Sequence, residues 1–170
     1  MGLKIQSFKV NLPFGLGGAN IVVTEAQQKV AWALYVELAT RVASVKLEPG
    51  TGSAREALNS MHSLFETTRS VLRDEGHDAA HGPESVGPIA IDILNQGLRP
   101  FLVKWHSKLS NFENQQAEEQ RKQYGTVIID ESHWPERNAF YQDLEENRQG
   151  ILQYLQVLAH IAGIDSDSND

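Results

Sequence analysis

One apolar seam extends through residues 89–112 and constrains the fold more than any other feature of the chain. Its members recur at steps of three and four residues, the spacing that places side chains on one face of an α-helix. They are Ala90, Leu94, Leu98, Phe101, Leu102, Trp105, Leu109 and Phe112. A helix with a seam of this length has to bury it against other elements, so we expect the rest of the chain to pack around it.

Three further segments show helical periodicity between recognisable start and stop signals. Capping-box sequences at Thr24 and Ser53 predict the starts of two helices, and Pro135 favours the start of another. The four predicted helices cover residues 24–47, 53–75, 85–118 and 135–162. Within the third of them, Pro100 removes the amide that would bond to the carbonyl of Gln96, so a kink is predicted there.

Extended structure is predicted at the N-terminus, where apolar residues flank a glycine-rich turn. Residues 3–23 are predicted to form a β-hairpin, and the β-branched residues 126–129 could join it as a third strand. The predicted fold is therefore mainly α, an antiparallel four-helix bundle with a small hairpin. We expect one domain over residues 1–164, with the helices within residues 24–162 and an acidic tail at residues 165–170.

The composition of the chain excludes several classes of function. The 170 residues include no cysteine, which removes disulfides, thiol nucleophiles and thiolate metal sites. The net charge of −7 repels phosphate backbones, so nucleic-acid binding is not expected. No apolar stretch reaches the roughly 20 residues that a membrane span requires. We therefore expect a cytoplasmic protein without a membrane span and without a cofactor.

Arg99, His106 and Asn95 lie along one flank of the central predicted helix and form a polar cluster that could perform chemistry. The Arg99-x6-His106 spacing resembles the motif of HEPN ribonucleases, which are helical-bundle proteins. This resemblance implies that His106 transfers protons, that Arg99 binds phosphate and that the protein acts as a dimer. Pro100 departs from the family pattern, which usually has Asn, Asp or His directly after the arginine. The alternative is that both side chains make ordinary hydrogen bonds to a neighbouring element.

Two other groups of residues are candidate sites. Glu37 and Arg41 stand four residues apart on an otherwise apolar predicted helix, which favours an ion pair that fixes packing or meets a partner. His77, Asp78 and His81 have a spacing that could hold a metal ion. The neighbouring glycines favour a loop there, and no further strong ligand lies nearby in the sequence, so we expect no metal.

Three further histidines and two arginines are not predicted to belong to a functional site. His62, His133 and His160 lie in or just before predicted helices and are expected to be packed or exposed singly. Arg69 and Arg73 are typical of a solvated helix face. None of these five residues is therefore expected to belong to a site.

Residues 36–41 (VELATR) and 94–106 (LNQGLRPFLVKWH) resemble segments of uncharacterised bacterial helical-bundle proteins that are associated with conflict or defence loci. The resemblance implies an accessory or effector-type module that works with a larger partner. We expect a non-enzymatic interaction or regulatory module that binds another protein, or itself as a homodimer. The alternative is a HEPN-like, metal-independent ribonuclease that acts as a dimer through Arg99 and His106.

Overall fold

The computed structural model describes residues 6–41, 46–47, 52–82 and 84–164. Over these residues the protein is a mainly helical bundle with a small antiparallel hairpin, which confirms the predicted fold class. The hairpin comprises β1 (Gln6–Leu12) and β2 (Gly17–Val23). The helices are α1 (Glu25–Ala39), α2 (Ala54–Glu75), α3 (Val86–Asp92), α4 (Arg99–Tyr124) and α5 (Arg137–Ala162).

Side chains cap the first two helices where the sequence predicts. The Thr24 hydroxyl accepts a hydrogen bond from the N–H of Gln27 at 3.2 Å. Ser53 and Glu56 form a reciprocal capping box, in which each side chain accepts from the other residue's N–H. Gly76 ends α2 with a φ of 69°, a backbone conformation that glycine adopts without steric cost.

The first helix is shorter than predicted, because α1 ends at Ala39 instead of near residue 47. The Thr40 hydroxyl donates to the carbonyl of Val36 at 2.8 Å, and the N–H of Arg41 donates to the carbonyl of Leu38, three residues back instead of four, at 3.2 Å. Such local bonds compete with continuation of a helix. Residues 46–47 are not helical, and residues 42–45 of the predicted helix lie outside the described residues.

The helical run that carries the apolar seam is interrupted where the kink is predicted. Between α3 and α4, Ile93–Leu98 forms a π-helical segment, and the N–H of Arg99 donates to the carbonyl of Leu94, five residues back. Pro100 lies in the first turn of α4, directly after the π-helical segment, and has no N–H to donate to the carbonyls of that segment. The α-helical hydrogen-bond ladder therefore breaks directly before Pro100.

The seam of this helical run enters the core, as predicted. Leu98 and Trp105 are each only 1% exposed. The other residues predicted for the core are also buried, namely Leu34, Leu64, Leu94, Leu144 and Leu155. One face of the hairpin joins the same hydrophobic cluster through Val10, Ala19, Ile21 and Val23.

Residues 126–129 do not form the predicted third strand. Within the part of the chain that the structure describes, the sheet consists of β1 and β2 alone. The segment instead lies along α4, where the side-chain amides of Gln116 and Gln120 bond to the backbone of Asp130 and Ile128. Side chains of the adjacent helix thus take the place of a neighbouring strand.

The end of the third predicted helix also differs, since α4 extends to Tyr124 instead of ending at residue 118. α5 begins at Arg137, and Pro135 lies in the preceding turn instead of at the first helical position. Residues 3–5 of the predicted hairpin and residues 165–170 of the predicted tail lie outside the described residues. Among the helices that the structure describes, none combines the length and the apolar character needed to cross a membrane.

Candidate functional site

Helices α2 and α4 pack side by side in opposite directions. Arg55, near the start of α2, forms an ion pair with Glu113 in the second half of α4, with Nη2 2.5 Å from Oε2. Further along α2, the ring of Phe65 lies beneath the guanidinium of Arg99 at the start of α4, with 4.9 Å between ring centroid and Cζ. A cleft of about 440 Å³ opens between the two helices, and we call it the α2/α4 cleft.

Among the residues that the structure describes, four basic side chains and no carboxylate line the α2/α4 cleft. His62 and Arg69 come from α2, and Arg99 and His106 come from α4; all four are exposed. The rest of the lining is uncharged and consists of Asn59, Phe65, Leu102, Val103 and Ser107. The protein has a net charge of −7, so a cluster of basic groups in this cleft is opposite in sign to the charge of the protein as a whole.

The guanidinium of Arg99 is held in place without a carboxylate. The side-chain oxygen of Asn95, in the π-helical segment, accepts from Nε at 3.2 Å and from Nη2 at 2.9 Å. The Phe65 ring supports the guanidinium plane from below. Over the described residues, no ion pair joins Arg99 or Arg69 to an acidic side chain. Both arginines therefore keep an uncompensated positive charge, and that of Arg99 has a fixed position.

His106 is oriented by an arginine that does not line the cleft. Nη1 of Arg55 lies 3.4 Å from Nδ1 of His106. Arg55 also binds both carboxylate oxygens of Glu113 and the hydroxyl of Ser110. Because a guanidinium can only donate hydrogen bonds, Nδ1 of His106 is the acceptor, and the neutral ring carries its proton on Nε2. His106 is thus set up as a hydrogen-bond donor.

Sequence reasoning found Arg99, His106 and Asn95 but missed two residues of the same site. His62 and Arg69 were expected to be a single histidine and part of a solvated face, whereas they line the cleft opposite Arg99 and His106. One signal could have indicated them. His62 is three residues before the buried Phe65 and Arg69 is four residues after it, so both lie on the same face of α2 as Phe65.

Glu37 and Arg41 form the predicted ion pair, but it lies away from the cleft. Nη2 of Arg41 is 3.1 Å from Oε2 of Glu37. The same guanidinium donates to the hydroxyls of Ser63 at 3.1 Å and Thr67 at 2.8 Å, both on α2. These contacts join the end of α1 to α2, which is the packing role that the sequence allows.

His77, Asp78 and His81 are brought together at the surface. His77 and Asp78 belong to a short 3-10 turn, Gly76–Ala80, and His81 follows it. Oδ1 of Asp78 lies 3.8 Å from Nδ1 of His77 and 3.6 Å from Nε2 of His81. Over the described ranges, no group of three or more His, Asp or Glu side chains is arranged to hold a metal ion.

Comparison of the chain with protein-family models, curated proteins and solved structures gives no significant match. Relatives therefore provide no information on the two resemblances noted in the sequence. Function has to be inferred from the geometry of the α2/α4 cleft.

Proposed function

We propose that the α2/α4 cleft binds a small phosphorylated ligand and that the protein is a non-enzymatic regulatory module. The observation that carries this proposal is the lining of two guanidinium groups and two imidazoles, with no carboxylate among the lining residues that the structure describes. Guanidinium groups bind phosphate oxygens through paired N–H donors, and an imidazole N–H adds a further donor. The resemblance to accessory modules of defence loci supports a regulatory role.

The volume of the cleft and the net charge of the protein favour a ligand of nucleotide size over a nucleic-acid chain. The cleft volume of about 440 Å³ lies within the range of roughly 300–1,000 Å³ that is usual for small-molecule sites. A long polyanion would also meet the acidic surface implied by a net charge of −7. Leu102 and Val103 offer an apolar wall to the part of the ligand that carries no charge.

The orientation of His106 supports binding over proton transfer. A general base needs a free lone pair on a ring nitrogen. In His106 the Nδ1 lone pair accepts from Arg55, and Nε2 carries the proton. A neutral N–H group can donate a hydrogen bond to a phosphate oxygen, and this contact binds the phosphate without a chemical reaction.

The HEPN-like ribonuclease is the second candidate function, and one observation favours it. Arg99 and His106 are both exposed in one basic cleft instead of being enclosed by packing. In this candidate function, the histidine would transfer a proton while the arginine binds the scissile phosphate. The two candidates differ in whether the protein cleaves RNA.

Titration with inorganic phosphate and with adenosine monophosphate tests the binding proposal. The ring-proton NMR signals of His62 and His106 should shift on addition of either probe. Arg69→Gln and Arg99→Gln should each weaken binding about tenfold or more, since each removes a charged donor. Arg73→Gln is the matched control, because Arg73 is an exposed arginine of α2 that does not line the cleft. An equal loss in all three variants, or the absence of any histidine shift, would contradict the proposal.

A further inference from the structure

We call residues 126–130 the edge segment. Along one side of this segment, side chains of helix α4 form hydrogen bonds with the backbone N–H and C=O groups. The Gln120 side chain donates to the Ile128 carbonyl at 2.6 Å and accepts from the Ile128 N–H at 2.5 Å. Gln116 bonds to Asp130 in the same way, at 3.1 and 2.7 Å. Two glutamines one helical turn apart therefore hold alternate residues of the edge segment, as a neighbouring strand would.

The other edge of the segment is free. In an extended chain the N–H and C=O groups of adjacent residues point in opposite directions, so those of Val127 and Ile129 face away from α4. No hydrogen bond from any described residue reaches these groups. The side chain of Ile128 is 75% exposed, that of Ile129 41% and that of Val127 38%. A β-branched, uncovered edge of this kind is a template for strand pairing.

We propose that the edge segment pairs with the edge segment of a second copy of this chain, antiparallel and across a two-fold axis. Val127 of each copy then lies opposite Ile129 of the other, and each such pair exchanges two backbone hydrogen bonds. Ile128 lies on the axis, opposite Ile128 of the second copy, in a pair without hydrogen bonds. All the free backbone groups of Val127 and Ile129 are satisfied in this register.

Charge complementarity is the reason for choosing a second copy as the occupant. Arg121 and Lys122 stand just before the edge segment, whereas Asp130, whose side chain is 51% exposed, stands at its end. Antiparallel pairing brings the basic end of one copy to the acidic end of the other, and it does so twice. Pairing of two copies in the same direction would place like charges together.

The pairing is independent of the proposed ligand site and is expected to be weak. The edge segment follows the end of α4, whereas the α2/α4 cleft contains residues from its first half. A ladder of so few residues covers much less than the roughly 1,200 Å² that standard stable interfaces bury. The dimer should therefore form only in concentrated solution.

Because the chain contains no cysteine, a single introduced cysteine can form a disulfide only with its counterpart in a second copy. Two residues in an antiparallel pair without hydrogen bonds have Cα atoms about 4.5 Å apart, a separation that a disulfide can span. Under mild oxidation, Ile128→Cys should give a covalent dimer about tenfold faster or more than Ile91→Cys, whose position is also exposed but lies on α3. Equal rates of dimer formation would overturn the proposal.

Sedimentation equilibrium gives a second measurement without any crosslink. The mean mass of the unaltered protein should rise above 18.9 kDa with concentration, whereas Ile128→Lys should remain at the monomer mass because two lysines then meet on the axis. Circular dichroism should show that this variant is folded, since the Ile128 side chain is largely exposed. A monomer at every concentration, or a mass increase that Ile128→Lys retains, would overturn the proposal.

Discussion

The ring of Phe14 occupies the space that a side chain at Gly97 would need. A Cβ atom on Gly97 would lie 2.5 Å from Cδ2 of Phe14, and one on Gly150 would lie 2.5 Å from Cε1 and Cζ of the same ring. The hairpin turn thus inserts one aromatic ring between the π-helical segment and α5. Phe14 has a φ of 59°, a conformation that costs a residue with a side chain about 1–2 kcal/mol.

Gly97→Ala should lower the free energy of unfolding by about 1–3 kcal/mol, because the added methyl group overlaps the Phe14 ring in a packed interior. Urea denaturation measures this loss. Gly18→Ala is the control, since a Cβ there meets nothing closer than 3.7 Å. In a Phe14→Ala background the cost of Gly97→Ala should disappear, and persistence of the full cost would show that the overlap is not its cause.

Leu98→Ala should lower the free energy of unfolding by about 2–5 kcal/mol, because the side chain is 1% exposed and its removal leaves a cavity in the core. Val103→Ala on the same helical run is the control, since that side chain is 69% exposed. Chemical denaturation of both variants gives the comparison. A loss below about 0.5 kcal/mol for Leu98→Ala would mean that the seam is not packed as described.

Pro100→Ala should leave the stability unchanged or raise it, because it adds an N–H donor at a position where proline lacks one. Hydrogen exchange should show protection of the new amide. Thermal melting measures the stability of the variant. A marked fall in melting temperature would indicate that the π-helical segment depends on the proline ring itself.

Asp143→Asn should destabilise the protein at neutral pH, and the loss should shrink in acid. The hydrogen bond from Lys104, together with that from the Trp105 indole N–H, holds the pKa of Asp143 below its usual value of 3.8. A lowered pKa contributes stability above 3.8, and this contribution is lost as the pH falls through the folded-state pKa.

Urea denaturation of Asp143→Asn and of the unaltered protein between neutral pH and strong acid measures this dependence. Asp92→Asn is the control, because the exposed Asp92 accepts a hydrogen bond from just one described residue, the Gln96 amide at 3.3 Å. A difference between Asp143→Asn and the unaltered protein that stays constant across the pH range would exclude the ionised carboxylate as its source.

The unaltered protein should not cleave single-stranded RNA in the absence of metal ions, because the Nδ1 lone pair of His106, which a general base would use, accepts from Arg55. Arg99→Ala and His106→Ala should remain folded, since both side chains are exposed. Gel analysis of labelled RNA checks the first statement, and thermal melting checks the second. If the unaltered protein cleaves RNA and both folded variants do not, the ribonuclease candidate replaces the binding proposal.

Local signals in the sequence were sufficient for most of the secondary structure. The capping box of Ser53 and Glu56 and the break before Pro100 each depend on residues within about one helical turn, and the buried face that contains Leu98 is indicated by the helical periodicity of residues 89–112. The prediction was wrong where a nearby side chain offered the backbone a different partner. Thr40 ends α1 early in this way, and the glutamines of α4 keep residues 126–129 out of the sheet.

The sequence by itself determined that Arg99, His106 and Asn95 share one flank of a helix, because helical periodicity is a local property. Only the tertiary structure decided that His62 and Arg69 would face that flank across a cleft. Which helix faces pack together depends on the total burial of residues that are distant in the sequence, and no spacing within one segment encodes it.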